Sequence, residues 1–185
     1  RIDLALKWLD EHFDAGTNPA APGNMVGWRM YWMYAVERVG IAVGYKYFGS
    51  HNWYKEGAEY LIAQQKPDGS WDAAQEGGDY ASTCFAVLFL YKGRAPILFN
   101  KLQDTPGGEK WIWNAHRRDI ANLTAYIEKN KEQPFQWQIV SLKGGVEELH
   151  DAPVLVLPAE SAPTFTDEET NKLREFTDTG GTILL

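Results

Sequence analysis

The sequence has little cysteine, no long apolar run and no concentration of positive charge. Its single cysteine, Cys84, excludes disulfide bonds within the chain and any zinc site built from several cysteines. The formal net charge is −7, and the densest basic point is the pair Arg117 and Arg118, which is too small for the basic stripe of a nucleic-acid-binding protein. No apolar run approaches the roughly 20 residues that span a bilayer. We therefore expect neither a nucleic-acid partner nor a transmembrane segment in this sequence.

The two ends of the sequence predict a piece of a longer protein. The first residue is Arg1, which already lies in a helical pattern, and residues 182–185 (TILL) have the pattern of a strand with nothing after it. The missing signal peptide is therefore uninformative about the compartment.

Aromatic residues, in contrast, are abundant, with eight Trp, nine Tyr and eight Phe. Such side chains fill protein cores and also line ligand clefts, so their number favours neither use.

Apolar residues three or four positions apart predict helices throughout the first part of the chain. Asn52 is a suitable N-cap for the helix predicted over residues 53–65. The helix predicted over residues 80–92 is the most apolar segment of the chain, which predicts an interior helix. The predicted helices cover residues 2–13, 28–43, 53–65, 80–92 and 118–129.

After Pro134 the pattern changes to that of an α/β unit. Strands are predicted over residues 135–142, 154–157 and 182–185, with helices over 146–150 and 166–177 between them. Thr166 and Glu169 form the capping box of the second helix. The order strand, helix, strand, helix, strand predicts a parallel sheet. Residues 97–99 are interpreted as an isolated extended piece, and the domain boundary is placed between residues 132 and 133.

Residues 56–71 (EGAEYLIAQQKPDGSW) resemble the "QW" repeat of the terpenoid cyclase and protein prenyltransferase superfamily. The resemblance rests on an aromatic-Leu pair and a Gln that lead into Asp-Gly-Ser-Trp. It implies that residues 1–132 form part of an α/α toroid, in which Gln65 and Trp71 lock successive repeats together. The match is informative about the fold and says nothing specific about chemistry.

The second part resembles the first βαβαβ portion of a class I glutamine-amidotransferase-like domain. Residues 135–140, 149–155, 165–169 and 180–182 carry this resemblance, which is closest to an uncharacterised bacterial family that often follows such helical repeats. It implies an incomplete flavodoxin-like α/β domain over residues 133–185. The combined fold class is therefore α + α/β, and the family resemblance implies a periplasmic or envelope-associated protein.

Catalytic motifs of these families are missing from the sequence. It has no Asp-x-Asp-Asp acid motif, and Asp79 and Cys84 are too far apart for a prenyltransferase zinc site. The α/β part has no cysteine nucleophile, although Glu160 or Ser161 follows a strand at the edge where such sheets bind ligands. We expect no catalytic residue, metal or cofactor in this stretch of chain.

A binding cleft remains as the candidate site. Its predicted residues lie near helix ends that meet on one side of the toroid, and aromatic walls with carboxylates suit a sugar or another polar ligand. The predicted cleft residues are Trp32, Trp53, Asp72, Asp79 and Tyr80. The alternative interpretation is that the tryptophans belong to the core.

The sequence therefore predicts a non-catalytic module of an exported or envelope-associated bacterial protein. Its partner is an unknown small molecule, glycan or protein. The alternative function is an enzyme that uses the aromatic cleft, with a polysaccharide-acting or terpenoid cyclase-like activity.

Overall fold

A computed structural model describes residues 1–19, 27–72, 78–103, 113–158 and 163–185 of the chain. The chain divides into two compact units, Arg1–Arg94 and Ala95–Leu185. The first is helical, and the second contains a parallel sheet with helices. The predicted α + α/β fold class is therefore confirmed, whereas the partial α/α toroid stays a prediction.

The described residues of the first unit contain four α-helices close to their predicted positions. They are α1 (Ile2–His12), α2 (Arg29–Val43), α3 (Trp53–Gln64) and α4 (Asp79–Tyr91), and a 3-10 turn at Lys92–Arg94 follows α4. The predicted cap of α3 is confirmed, since Asn52 Oδ1 accepts a hydrogen bond from the backbone N–H of Lys55 at 3.1 Å.

The core of the first unit is built around Trp53. Its ring centroid lies 6.2 Å from that of Phe48 and 6.0 Å from that of Phe89. Gly40 makes room for this ring, because a Cβ atom there would collide with the indole. Gly57 has the same role on α3, where a Cβ atom would meet Met33 and Phe89. Two glycines therefore let large aromatic residues pack between close helices.

The second unit is an α/β structure. It contains β1 (Ile97–Leu102), α5 (Asp119–Lys131), β2 (Gln136–Val140), α6 (Val146–Leu149), β3 (Val154–Val156), α7 (Asp167–Asp178) and β4 (Thr182–Leu184). The strand order is β2-β1-β3-β4, and all neighbouring strands are parallel. The predicted capping box at the start of α7 is confirmed, with Thr166 and Glu169 bonded reciprocally.

Helices cover both faces of this sheet. On one face, Ile120 of α5 packs with Phe99 and Val156. On the other face, Leu149 of α6 and Phe176 of α7 pack against an aliphatic cluster. The strand members of that cluster are Leu102, Val140 and Leu155. Burial on both faces is the usual arrangement of a parallel sheet.

The sequence placed the sheet within residues 133–185, but its central strand β1 comes before that range. The chain divides between Arg94 and Ala95, whereas the boundary was expected between residues 132 and 133. The physical reason is that Asn100 and Lys101 interrupt the apolar run, although both are buried. The central strand of a parallel sheet usually has a continuous apolar sequence. Residues 97–102 lack that pattern, so the sequence did not indicate a central strand there.

Candidate functional site

The two tryptophans of the predicted cleft have different environments. Trp53 is only 2% exposed, and its Nε1–H donates to the carbonyl of Tyr45 at 2.7 Å. Trp32 is half-buried, makes an edge contact with Trp8 and donates from Nε1 to the carbonyl of Asp14 at 3.2 Å. Trp53 is therefore a core residue and does not line a surface cleft. This position agrees with the alternative interpretation, in which the tryptophans belong to the core.

The predicted carboxylates Asp72 and Asp79 do come together, because both lie beside Lys66. Lys66 Nζ is 3.0 Å from Asp79 Oδ2 and 3.7 Å from Asp72 Oδ2. The hydrogen bond to Asp79 raises the pKa of Lys66 above its ordinary value. This cluster joins the start of α4 to the turn after α3, so its first effect is to fix local structure.

The turn after α3 shows how the residues of the predicted repeat lock divide their roles. Trp71 is buried, its Nε1–H donates to the carbonyl of Leu61 at 2.7 Å, and its backbone N–H donates to Thr83 Oγ1 at 3.1 Å. Trp71 therefore joins α3 to α4. Gln65 is exposed and donates to the carbonyl of Gly69 at 3.0 Å, so it holds the turn and does not join the two helices.

Helix α4 is buried on one side only, although its apolar sequence predicted an interior helix. Ser82, Ala86 and Phe89 are buried. The opposite side forms an exposed surface that we call the α4 stripe. It consists of Tyr80, Cys84, Val87, Leu88 and Tyr91. The four large side chains are 90%, 52%, 47% and 55% exposed, in the order Tyr80, Val87, Leu88, Tyr91.

Helix α2 extends this apolar surface. Phe85 of α4 lies with its ring centroid 5.5 Å from that of Tyr31 and 5.5 Å from that of Tyr34. Tyr31 is 52% exposed, and Arg38 lies over the Tyr34 ring at 5.7 Å. Contiguous exposed apolar surface of this kind marks interaction sites in soluble proteins. Of the residues predicted for the site, only Tyr80 belongs to this surface.

Helix α2 also carries a buried carboxylate that sequence reasoning missed. Glu37 is 1% exposed, and its two oxygens accept hydrogen bonds from Arg38 Nε at 2.7 Å and from Arg38 Nη2 at 2.9 Å. The hydrogen bond to Glu37 raises the pKa of Arg38. The visible signal was an acidic residue inside an apolar helix. The guanidinium therefore pairs with the buried carboxylate through both of its oxygens.

In the second unit, the strand order marks a place where ligands bind in open parallel sheets. The chain passes from β1 to β2 on one side and then to β3 on the other, so the order reverses between β1 and β3. Ligands of such sheets occupy the crevice at the carboxyl ends of the strands at this point. Glu160 and Ser161, predicted at this edge, lie outside the described residues.

Lys101 is the charged side chain of β1 itself, and it is buried. Its Nζ donates to Asp119 Oδ1 at 2.7 Å, to the carbonyl of His116 at 3.0 Å and to Asn114 Oδ1 at 3.1 Å. An ammonium group has three donors, so these three acceptors satisfy it. Lys101 therefore anchors the start of α5 to the sheet and has no hydrogen left for a ligand.

Two further polar side chains, Asn100 of β1 and Gln138 of β2, lie on the face of the sheet opposite to Lys101. Asn100 donates from Nδ2 to the carbonyl of Leu149 at 2.8 Å, and Gln138 donates from Nε2 to Asp151 Oδ2 at 2.8 Å. Within the described part of the chain, Asn100 Oδ1 is buried and has no hydrogen-bond partner. These contacts fix the end of α6 against β1 and β2.

Two further observations bear on the predicted partners. Among the described residues, no group of three or more His, Cys, Asp or Glu side chains could hold a metal ion. Within the same residues, no helix has the length and apolar character needed to cross a membrane.

A family model for a domain of unknown function, DUF4159, matches residues 99–185 of the chain. The match begins within β1 and continues to the last residue, so it covers most of the second unit. It includes β1 and α5, which the sequence-based boundary had left in the first domain. No curated protein and no solved structure matches the chain.

Proposed function

We propose that this chain is a non-catalytic protein-binding module whose docking surface is the α4 stripe. The observation that carries the proposal is the exposure of four large apolar side chains along one face of α4, next to Tyr31 of α2. Large apolar side chains exposed to water are costly unless a partner covers them. The exported or envelope-associated setting is part of the proposal and rests on the family resemblance alone.

The form of the surface favours a helical partner. Tyr80, Cys84, Val87 and Tyr91 are spaced by four, three and four residues. This is the spacing of a helix-pairing seam, in which side chains of one helix enter gaps between those of another. An amphipathic helix with the same apolar spacing is therefore the expected ligand.

Photo-crosslinking in the native host tests this proposal. A photoreactive phenylalanine analogue at Val87 should give a discrete covalent adduct with a protein, because this position lies at the centre of the stripe. The same analogue at Glu59, an exposed residue of α3, is the matched control and should give none. No adduct at Val87, or equal adducts at both positions, would contradict a docking role for the α4 stripe.

The alternative function is an enzyme acting in an aromatic cleft. It has less support, because Trp53 lies in the core and Asp72 and Asp79 are engaged by Lys66. Binding of an oligosaccharide or an isoprenoid analogue that is lost in Trp32→Ala would favour this alternative.

A further inference from the structure

Apart from Leu88, which has no counterpart in the pattern, the residues of the α4 stripe have a spacing that is the same when it is read from either end. Tyr80 and Cys84 are four residues apart, Cys84 and Val87 three, and Val87 and Tyr91 four. The stripe begins and ends with an exposed tyrosine and covers about 16 Å of helix axis at roughly 1.5 Å per residue. When one copy is turned end to end, a twofold axis brings the positions of such a pattern into register with those of the other copy.

We propose that α4 of one molecule packs antiparallel against α4 of a second copy of this chain through the α4 stripe. This inference rests on the proposed docking function and names the partner. With a twofold axis between Cys84 and Val87, Tyr80 of each copy faces Tyr91 of the other. Cys84 then faces Val87 of the second copy.

The charges at the ends of α4 favour the antiparallel direction. No charged residue occurs between Tyr80 and Tyr91, so nothing along the stripe repels a second copy. Asp79 stands at the first end and Lys92 follows the last residue, so the antiparallel pair brings these opposite charges to the same end. Lys92 Nζ lies 4.5 Å from the centroid of the Tyr54 ring of its own chain, so this attraction is weak. A parallel pair would place like charges together and align the helix dipoles unfavourably.

Lys66 weakens the attraction between Asp79 of one copy and Lys92 of the other, but it does not turn this attraction into repulsion. Its Nζ lies 3.0 Å from Asp79 Oδ2, so part of the negative charge at this end is already neutralised. The apolar side chains therefore supply most of the attraction, and the charges select the direction.

The position of Cys84 permits a direct test of direction. It is the single cysteine of the chain, is exposed and lies on the stripe. Differently tagged chains are mixed: one is unmodified, and the other carries Cys84→Ser together with Val87→Cys. Under mild oxidation, antiparallel pairing should give a disulfide in the mixed dimer, because positions 84 and 87 face each other. Disulfides formed only between two unmodified chains through Cys84 would overturn the antiparallel arrangement.

Association itself is measured by analytical ultracentrifugation of the whole chain. The unmodified chain has a mass of 20.9 kDa and should approach twice that value as its concentration rises. Val87→Glu should remain monomeric with an unchanged circular dichroism spectrum. Tyr126→Glu, at an exposed position on α5, is the matched control and should dimerise as the unmodified chain does.

The outcomes separate this inference from the proposed function. A chain that stays monomeric at every attainable concentration, combined with a Val87 crosslink to a different protein, overturns self-association and leaves the docking function standing. A monomeric chain without any Val87-specific crosslink overturns both.

Discussion

The two units bury their apolar surface in different ways. The first has an aromatic core around Trp53 and leaves the α4 stripe exposed. The second has a largely aliphatic core, and helices cover both faces of its sheet. Its buried polar side chains Lys101 and Gln138 have partners within the same unit. The first unit therefore leaves a row of large apolar side chains exposed beside its core, and this is the surface on which the proposed docking function rests.

The comparison also shows that apolar composition and burial are separate properties. Helix α4 is apolar on nearly every side and yet exposes Tyr80 and Val87. Strand β1 contains Asn100 and Lys101 and yet is buried at its centre. What decides burial is the set of neighbouring elements, which composition alone does not reveal.

The largest expected loss of stability follows from Trp71→Ala in the first unit. The change removes a buried indole and leaves a cavity between α3 and α4, so the free energy of unfolding should fall by roughly 3–5 kcal/mol. Urea denaturation measures the loss, and hydrogen exchange should increase most in α3 and α4.

Trp71→Phe is the control for this prediction. It keeps most of the ring and loses the hydrogen bond to the carbonyl of Leu61, so it should cost about 1–2 kcal/mol. Equal losses for both variants would mean that the hydrogen bond, not the packing, joins the helices.

A smaller loss is expected from Asp119→Ala in the second unit. The variant leaves the buried ammonium of Lys101 without its carboxylate, although the carbonyl of His116 and the amide of Asn114 remain. The free energy of unfolding should fall by roughly 2–3 kcal/mol, below the full cost of an unpaired buried charge.

Lys101→Met sharpens this second prediction. It removes the buried charge itself, and Asp119 can turn to water because its side chain is 28% exposed. The loss should therefore be smaller than that of Asp119→Ala. The opposite order in urea denaturation would mean that the ammonium contributes more than the cost of burying it.

The smallest effect concerns Tyr54 and is confined to alkaline pH. Burial raises the pKa of its hydroxyl above the ordinary value of 10.0, so the folded state holds this proton more tightly than the unfolded state. The corresponding stability is fully present below about pH 10 and is lost as the pH rises through the folded pKa.

Tyr54→Phe should therefore reduce the fall in the free energy of unfolding between about pH 9 and about pH 11. Tyr126→Phe, on an exposed side chain of α5, should leave that fall unchanged. An identical pH dependence in the unmodified chain and in Tyr54→Phe would contradict the assignment to Tyr54.

The elements with strong local signals were predicted well from the sequence. Helix α3 was placed within one residue of its observed end, because Asn52 caps its start and Pro67 cannot continue it. The capping box of Thr166 and Glu169 marked the start of α7 in the same way. Local hydrogen bonding and backbone restriction determine such boundaries, so a short stretch of sequence contains the necessary information.

The candidate site depends on contacts between distant residues, which local sequence patterns do not show. Trp53 is placed in the core by Phe48 and Phe89, which no local pattern connects to it. Tyr80 was predicted for the cleft and lies on the exposed face of α4, but the pattern did not distinguish an exposed apolar face of this helix from a buried one. The stripe becomes visible only when the position of α2 and α3 is known.

The polar residues at the centre of β1 have a consequence for how the sheet assembles. A wholly apolar parallel strand can slide by two residues and still present apolar side chains to the same face. Such a slide would carry Lys101 away from Asp119 and Asn100 away from the carbonyl of Leu149. Each would then be a buried polar group without a partner. Lys101 and Asn100 therefore disfavour shifted registers and select the observed pairing of β1 with β2 and β3.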